Sequence, residues 1–199
     1  MKKILVLFSH PKFEKSRANS ILVDKIKYKE GVTFHDLYEK YPDFNVNVEA
    51  EKELISEHDI LIWHHPFYWY SCPPLMKQWI DMVLEFGWAY GPSGKALYSK
   101  KCLNVITTGG SRALYCEQGT NSFSVKEFLR PFEQTANLCG MQYFPPFAVM
   151  GTHRIEDKEL YDYAHKYDKL IDLLQSDMSL SDVGNFSFIN DIPQLNPQI

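Results

Sequence analysis

The sequence predicts an α/β fold: a five-stranded parallel sheet with helices on both faces. Three observations predict it. Short apolar runs alternate along the chain with amphipathic stretches, the pattern of a sheet whose parallel strands are joined through helices. The runs, above all Ile4-Leu5-Val6-Leu7-Phe8, are apolar at successive positions, as strands buried on both faces are. Proline and glycine punctuate the boundaries: Pro73-Pro74 ahead of one amphipathic stretch, Gly140 behind another. At 199 residues, 45% of them hydrophobic, the chain can bury a core of its own and fits one domain better than two.

The first strand is expected over residues 3–9. The N-terminus has the look of a signal-peptide start, but His10, Pro11, Lys12 and Glu14 cut the apolar run short and no small-residue cleavage site follows. A helix over 17–27 and a strand over 32–36 come next. The helix over 48–56 is rich in acidic residues from Glu49 to Glu57, which read as a solvated face rather than a catalytic carboxylate pair. A strand over 59–64 precedes the helix 75–86, which Pro73-Pro74 opens because proline is tolerated in a first helical turn. A strand over 103–107, a helix over 124–138 ended at Gly140, a strand over 142–149 and a helix over 158–174 complete the series. Five strands and five helices in this order fit a flavodoxin-like sheet, whose ligand sits at the topological switch point. That domain is expected over 1–175. From 176 to 199 the pattern gives way to a polar extension with Gly184, Pro193 and Pro197, either flexible or docked through Phe186, Phe188 and Ile189.

A net charge of −4 and a pI near 6.0 argue against nucleic acid as a partner. No apolar run reaches membrane-spanning length. Cys72, Cys102, Cys116 and Cys139 form no C-x-x-C pair and no zinc-type spacing, which suits a reducing, cytoplasmic compartment. There is no internal repeat.

Three loops at expected strand ends carry the functional signal. Ser9 to Ser20 leads into the first helix, whose N-terminal amides and positive dipole end can hold a phosphate. His10, Ser16, Asn19 and Ser20 are candidate side-chain donors, and Lys12, Lys15 and Arg17 make the neighbourhood positive. The alternative is an ordinary cap by Ser16 with solvated lysines. The loop has no G-x-G-x-x-G, no G-x-x-x-x-G-K-[ST] and no Cys-x5-Arg, which argues against a dinucleotide fold, a P-loop and a phosphatase. The second loop, His64-His65-Pro66-Phe67-Tyr68-Trp69-Tyr70-Ser71-Cys72-Pro73-Pro74, offers aromatic surface and its own N–H groups. The third, Thr107-Thr108-Gly109-Gly110, lets the backbone approach a ligand closely. Together they suit a large, flat, partly polar ring system such as a flavin. His64-His65 lacks a third ligand at metal spacing, so no metal is expected, and one of the two reads as a strand-end hydrogen-bonding group.

Longer motifs occur in fixed order: His10-Pro11 with Ser16 and Asn19, Tyr41-Pro42-Asp43-Phe44-Asn45, Pro66-Phe67-Tyr68-Trp69-Tyr70, Pro74-Leu75-Met76-Lys77-Gln78-Trp79-Ile80-Asp81, Gly87-Trp88-Ala89-Tyr90-Gly91 and Thr107-Thr108-Gly109-Gly110. In these, residues 3–174 resemble the flavodoxin-like NAD(P)H:quinone reductases, the DT-diaphorase family. The resemblance is to the short bacterial branch that includes the ancillary flavoproteins of glutathione-gated potassium efflux systems. It implies a homodimer with active sites at the subunit interface and a bound FMN, with FAD as the alternative. His10, Ser16, Ala18 and Asn19 would hold the phosphate end. Pro66, Phe67, Tyr68, Trp69 and Tyr70 would hold the ribityl chain and ring, and Thr107, Thr108, Gly109 and Gly110 would complete the ring site. It implies NAD(P)H dehydrogenase (quinone) activity by ping-pong hydride transfer, from NAD(P)H through flavin N5 to a quinone-like acceptor. Tyr115 aligns with a catalytic tyrosine of larger members. Asn121 stands where they carry a histidine, and an amide takes up no proton near neutral pH. The same resemblance implies a second reading, a regulatory subunit docked at the inner face of the membrane on a potassium-efflux antiporter. A one-electron carrier is a third, disfavoured because flavodoxins lack the aromatic loop and the long final helix.

Overall fold

The first apolar run forms β1 (Ile4–Phe8), buried at every position in the computed structural model, which describes residues 1–176 and 183–196. It sits between β2 (Val32–Asp36) and β3 (Ile60–Pro66), parallel to both. β4 (Lys101–Thr108) continues the sheet beside β3. Beyond it, β5 (Gln142–Tyr143) pairs with the start of β4 and β6 (Phe147–Met150) with its end. The order β2-β1-β3-β4-β5 is the flavodoxin-like one, and it reverses direction between β1 and β3.

Alternate side chains of the strands feed two cores. Ile4, Val6, Ile60, Ile62, Leu103 and Val105 pack under α1 (Arg17–Ile26) and α7 (Asp157–Gln175). Leu5, Leu7, Leu61, Trp63 and Ile106 pack on the other face. That face is covered by α3 (Val48–Ser56), α4 (Pro74–Val83) and α6 (Arg130–Leu138). Two short turns, α2 (Leu37–Lys40) and α5 (Val125–Phe128), lie on this side as well.

The single strand expected over 142–149 is two, because Pro145 and Pro146 interrupt it and proline has no N–H to give a ladder. The helix expected over 124–138 is likewise divided at Leu129, two residues before Pro131. The helix expected to Phe86 stops at Val83, and Gly140 follows α6 with φ +69°, the left-handed conformation expected there.

The acidic face of α3 needs a correction. Glu51 is buried, and its carboxylate accepts from the Tyr41 hydroxyl at 2.5 Å, Trp79 Nε1 at 2.7 Å and His35 Nε2 at 2.9 Å. Burial alone would raise its pKa, but these donors outweigh it and hold the carboxyl below its ordinary value. Glu51 therefore ties α3 to β2 and α4. Of the polar extension, residues 183–196 lie against the body, with Val183, Phe188, Ile189, Ile192 and Leu195 buried. No helix among the described residues is long and apolar enough to cross a membrane.

Candidate functional site

A cleft of about 660 Å³ opens at the carboxyl ends of β1, β3 and β4, where the strand order reverses. Four expected residues enter it from the first loop and helix (His10, Ser16, Ala18 and Asn19), with Pro66, Phe67 and Tyr68 from the end of β3 and Thr107 and Gly109 from the end of β4. Trp69, Tyr70, Thr108, Gly110, Tyr115 and Asn121 are not part of its wall. The remaining wall, Thr152 to Glu156, was not anticipated. It is the loop from β6 to α7, a strand end like the others but without an aromatic run or glycine pair to mark it.

One end of the cleft gathers hydrogen-bond donors and positive charge. Ser16 caps α1, accepting from the Asn19 amide and from Asn19 Nδ2. Its own hydroxyl proton meets no acceptor among the described residues. The Arg17 and Ala18 amides find no acceptor among the described residues, as first-turn amides do not. His10 Nδ1 accepts from the Lys12 amide at 3.1 Å, so the neutral ring carries its proton on Nε2, and burial lowers its pKa in favour of that neutral form. Lys12, Lys15 and Arg154 add positive charge and Glu156 a single negative one. These donors fit a phosphate monoester.

Two expected donors are committed elsewhere. Ser20 donates to the Arg17 carbonyl. Asn19 spends its amide protons on Ser16 Oγ and Thr107 Oγ1, at 2.9 and 3.0 Å, and its Oδ1 accepts from His64 Nε2 at 3.1 Å. It knits α1 to β3 and β4. Arg17 also turns away from the anion: its guanidinium donates to the carbonyls of Thr152 and Ile155 and pairs with Asp157 at 3.1 Å. It fastens the unanticipated loop over α1.

The other end is aromatic. The Phe67 amide donates to the Thr107 carbonyl at 2.8 Å, joining the aromatic loop to the glycine loop. Tyr68 and Ser71 then close a tight turn in which Trp69 and Tyr70 hold φ of +48° and +64°. Positive φ at both central residues suits a two-residue hairpin but is costly for side chains of this size. The Trp69, Tyr70, Gly109 and Gly110 amides have no acceptor among the described residues, so backbone donors stand at and beside this end. Tyr70 stacks on Phe128 at 4.9 Å and donates to Asn121 Oδ1 at 3.3 Å. Tyr115 stands edge-on to Phe67 and against Gly110, and burial raises its phenol above the ordinary value, leaving it a donor at neutral pH. The glycines have a packing reason too: a Cβ on Gly109 would lie 2.5 Å from His153 Nε2, and one on Gly110 3.1 Å from the Tyr115 ring.

His64 and His65 point to opposite faces of the sheet. His64 meets Asn19 under α1. His65 stacks on Phe132, accepts at Nε2 from Asn104 Nδ2 and donates from Nδ1 to the Pro66 carbonyl, while Asn104 Oδ1 accepts from the Tyr143 hydroxyl. Burial drives His64 to about 3 and His65 to about 4, so both are neutral hydrogen-bonding groups.

Residues 2–171, which carry every wall of this cleft, match the family described as having a flavodoxin-like fold. The chain belongs to that family. This flavodoxin-like protein is 41% identical over 165 residues to the glutathione-regulated potassium-efflux system ancillary protein KefG of Erwinia tasmaniensis, covering 83% of the chain and 90% of the relative. It is 42% identical over 169 residues to the uncharacterized NAD(P)H oxidoreductase YdeQ of Bacillus subtilis, covering 85% and 86%. Among solved structures, general stress protein 14 of Treponema denticola, in complex with FMN, superposes with a TM-score of 0.83 at 40% identity. That likeness covers 87% of this flavodoxin-like chain and 99% of the other.

Proposed function

We propose that this protein is an FMN-dependent NAD(P)H:quinone oxidoreductase that works as a homodimer. The observation that carries the proposal is a single cleft with a helix start at one end, walled at the other by Pro66, Phe67, Tyr68 and Gly109, with amides at both ends that meet no acceptor among the described residues. A phosphate ester joined to a flat, polar-edged ring matches both ends at once. The FMN complex of the Treponema protein and the oxidoreductase name of the Bacillus relative support the same reading.

Bound FMN would supply the two-electron chemistry, accepting hydride from NAD(P)H and returning it to a quinone-like acceptor. The chain supplies position. Ser16, His10 and the amides of Arg17 and Ala18 would grip the phosphate, and Lys12 and Lys15 would balance its charge. Phe67 and Tyr68 would wall the ring, and the Trp69, Tyr70, Gly109 and Gly110 amides would answer its polar edge. Tyr115, protonated, would donate a hydrogen bond as negative charge develops nearby, and Asn121 would act through Tyr70.

The test is an anaerobic titration of FMN-loaded protein with NADPH and with NADH, followed at about 450 nm, where oxidised protein-bound flavins absorb. Bleaching within seconds is expected. A bound flavin that neither nucleotide bleaches would sink the proposal. The 41% identity to KefG favours one further reading, a regulatory subunit seated on a potassium-efflux antiporter at the inner face of the membrane. Co-purification with such a transporter, and loss of efflux control on deletion, would mark that role, and the two readings are compatible.

A further inference from the structure

Among the strands of the described residues β6 pairs with β4 alone, so its outer side would present unpaired backbone groups. Residues 183–196 supply the missing partner. The buried Asn190 side chain accepts from the Ala148 amide at 2.8 Å and donates to the Ala148 carbonyl at 3.1 Å, and the Ile189 amide donates to the Pro146 carbonyl. One side-chain amide thus does what an adjacent strand would do. On the α7 side, Ile189, Ile192 and Leu195 are buried, and Lys166 donates to Asn196 Oδ1. On the opposite side, Phe188 joins the core that Tyr115 packs against. The segment therefore grips both faces of the sheet from its edge.

From that anchorage it reaches the loop that follows the glycine pair. Asp191 receives both guanidinium arms of Arg112, at 2.9 and 3.3 Å, and the Arg112 guanidinium lies 4.7 Å from the centre of the Phe188 ring. Arg112 opens the turn Arg112–Leu114, and the Tyr115 amide donates to the Arg112 carbonyl. Arg112, Tyr115 and Phe188 line one small pocket of about 180 Å³. The stretch shared with the family ends at residue 171, so this connection belongs to the part of the chain beyond it.

We propose that residues 183–196 are an intramolecular strap, and that Asp191 and Phe188 are positioning residues which hold Arg112, and through it Tyr115, in place beside the glycine loop. The inference rests on the oxidoreductase reading for its kinetic consequence but not for its structural one.

The experiment compares full-length, FMN-loaded wild type, Asp191→Asn, and the charge-exchanged pair Arg112→Asp with Asp191→Arg. Hydrogen exchange across residues 111–116 and the rate of flavin reduction by NADPH are read on the same samples. Asp191→Asn is isosteric at a surface ion pair, so the thermal midpoint is expected to hold. Exchange across 111–116 is expected to rise roughly threefold, the scale of one exposed bidentate pair. The limiting reduction rate is expected to fall by a similar factor with little change in the NADPH concentration for half-maximal rate. The exchanged pair is expected to restore both. Unchanged exchange in Asp191→Asn, or failure of the exchanged pair to restore it, overturns the strap. If NADPH bleaches neither wild type nor variants, the oxidoreductase reading fails, and the exchange comparison still decides for or against the strap.

Discussion

Asn19 is the residue on which the shape of the cleft most depends. Its one side chain satisfies Ser16, Thr107 and the N–H of a buried histidine, and so sets the distance between α1 and two strand ends. Asn19→Ala is expected to cost about 3 kcal/mol, because it removes these bonds and leaves the His64 proton buried without a partner. Urea unfolding would measure it, and a loss below about 0.5 kcal/mol would show that the network bears no weight. The buried histidines also write a pH dependence. Unfolded, each titrates near 6.5; folded, near 3 for His64 and 4 for His65. Below 6.5 the unfolded chain binds protons that the fold refuses, so stability is complete above that value and falls as pH drops towards the folded values. Each histidine adds a slope of about 1.4 kcal/mol per pH unit once its unfolded form is charged, and His10 acts in the same direction. His65→Phe should remove one histidine's share between pH 6 and 5 in chemical unfolding. An unchanged slope would mean that His65 is charged in the fold. At this scale the sequence marks residue types well and their duties less well. The side chains of Asn19 and Ser20 read as donors to an anion, and Arg17 as part of its positive surroundings, because they flank a helix start, yet three-dimensional neighbours claim them first. Glu51 reads as solvated because an acidic run hides one inward position, and only the approach of Tyr41 and Trp79 makes it a buried acceptor.

Among elements, the loop from β6 to α7 depends on another element for its place. Arg17 on α1 holds it by two carbonyls and one carboxylate, and His153 rests over Gly109 from the far side. Arg17→Ala is expected to lower the thermal midpoint by about 2–4 °C, corresponding to about 1 kcal/mol in a chain of this size. The same variant should speed exchange across residues 151–156 and weaken FMN binding, because that loop walls the cleft. An FMN dissociation constant equal to that of wild type would take the loop out of the binding site. Gly109→Ala tests the same packing from the other side: its methyl group cannot coexist with the His153 ring as placed, so that ring must swing aside, and because it walls the cleft FMN affinity is expected to fall. The elements themselves are largely legible, since continuous apolar strands and amphipathic helices leave strong periodic signals. What escapes is local. A four-residue turn such as α2, held by the Asp36 carboxylate at its start, is too short for a period. The breaks at Pro145-Pro146 and before Pro131 turn on single missing N–H groups, which periodicity does not register. The strap of residues 183–196 lacks both helical and strand periods, because a side-chain amide and scattered apolar residues do the work of a strand.

For the whole molecule, the aromatic turn poses a cost that contacts within the chain offset only in part. Trp69 and Tyr70 both hold left-handed backbone, at about 1–2 kcal/mol each for residues with a Cβ. Tyr70 recovers part of that through Phe128 and Asn121, whereas Trp69 is 92% exposed and touches little. Tyr68 in the same turn is exposed, as is Phe123, which stands edge-on to the Phe128 ring that Tyr70 stacks on. A strained turn that presents an indole to solvent is explained if a second copy covers it, which is what the proposed homodimer requires at the mouth of the cleft. Under two-fold symmetry each interface would contain the residue twice. Trp69→Asp should then cost about 2 kcal/mol per copy, or roughly a thousandfold in the dimer dissociation constant. Sedimentation velocity at micromolar protein is expected to show a dimer for wild type and a monomer for Trp69→Asp. The thermal midpoint, which rises with concentration in a dimer, should lose that dependence in the variant. A wild type that sediments as a monomer would end the dimer proposal. A variant that stays dimeric would move the interface away from the aromatic turn, and the exposed indole would then be left to meet the nicotinamide or the acceptor directly. In that case Trp69→Asp should raise the Michaelis constant for one of them while leaving assembly untouched.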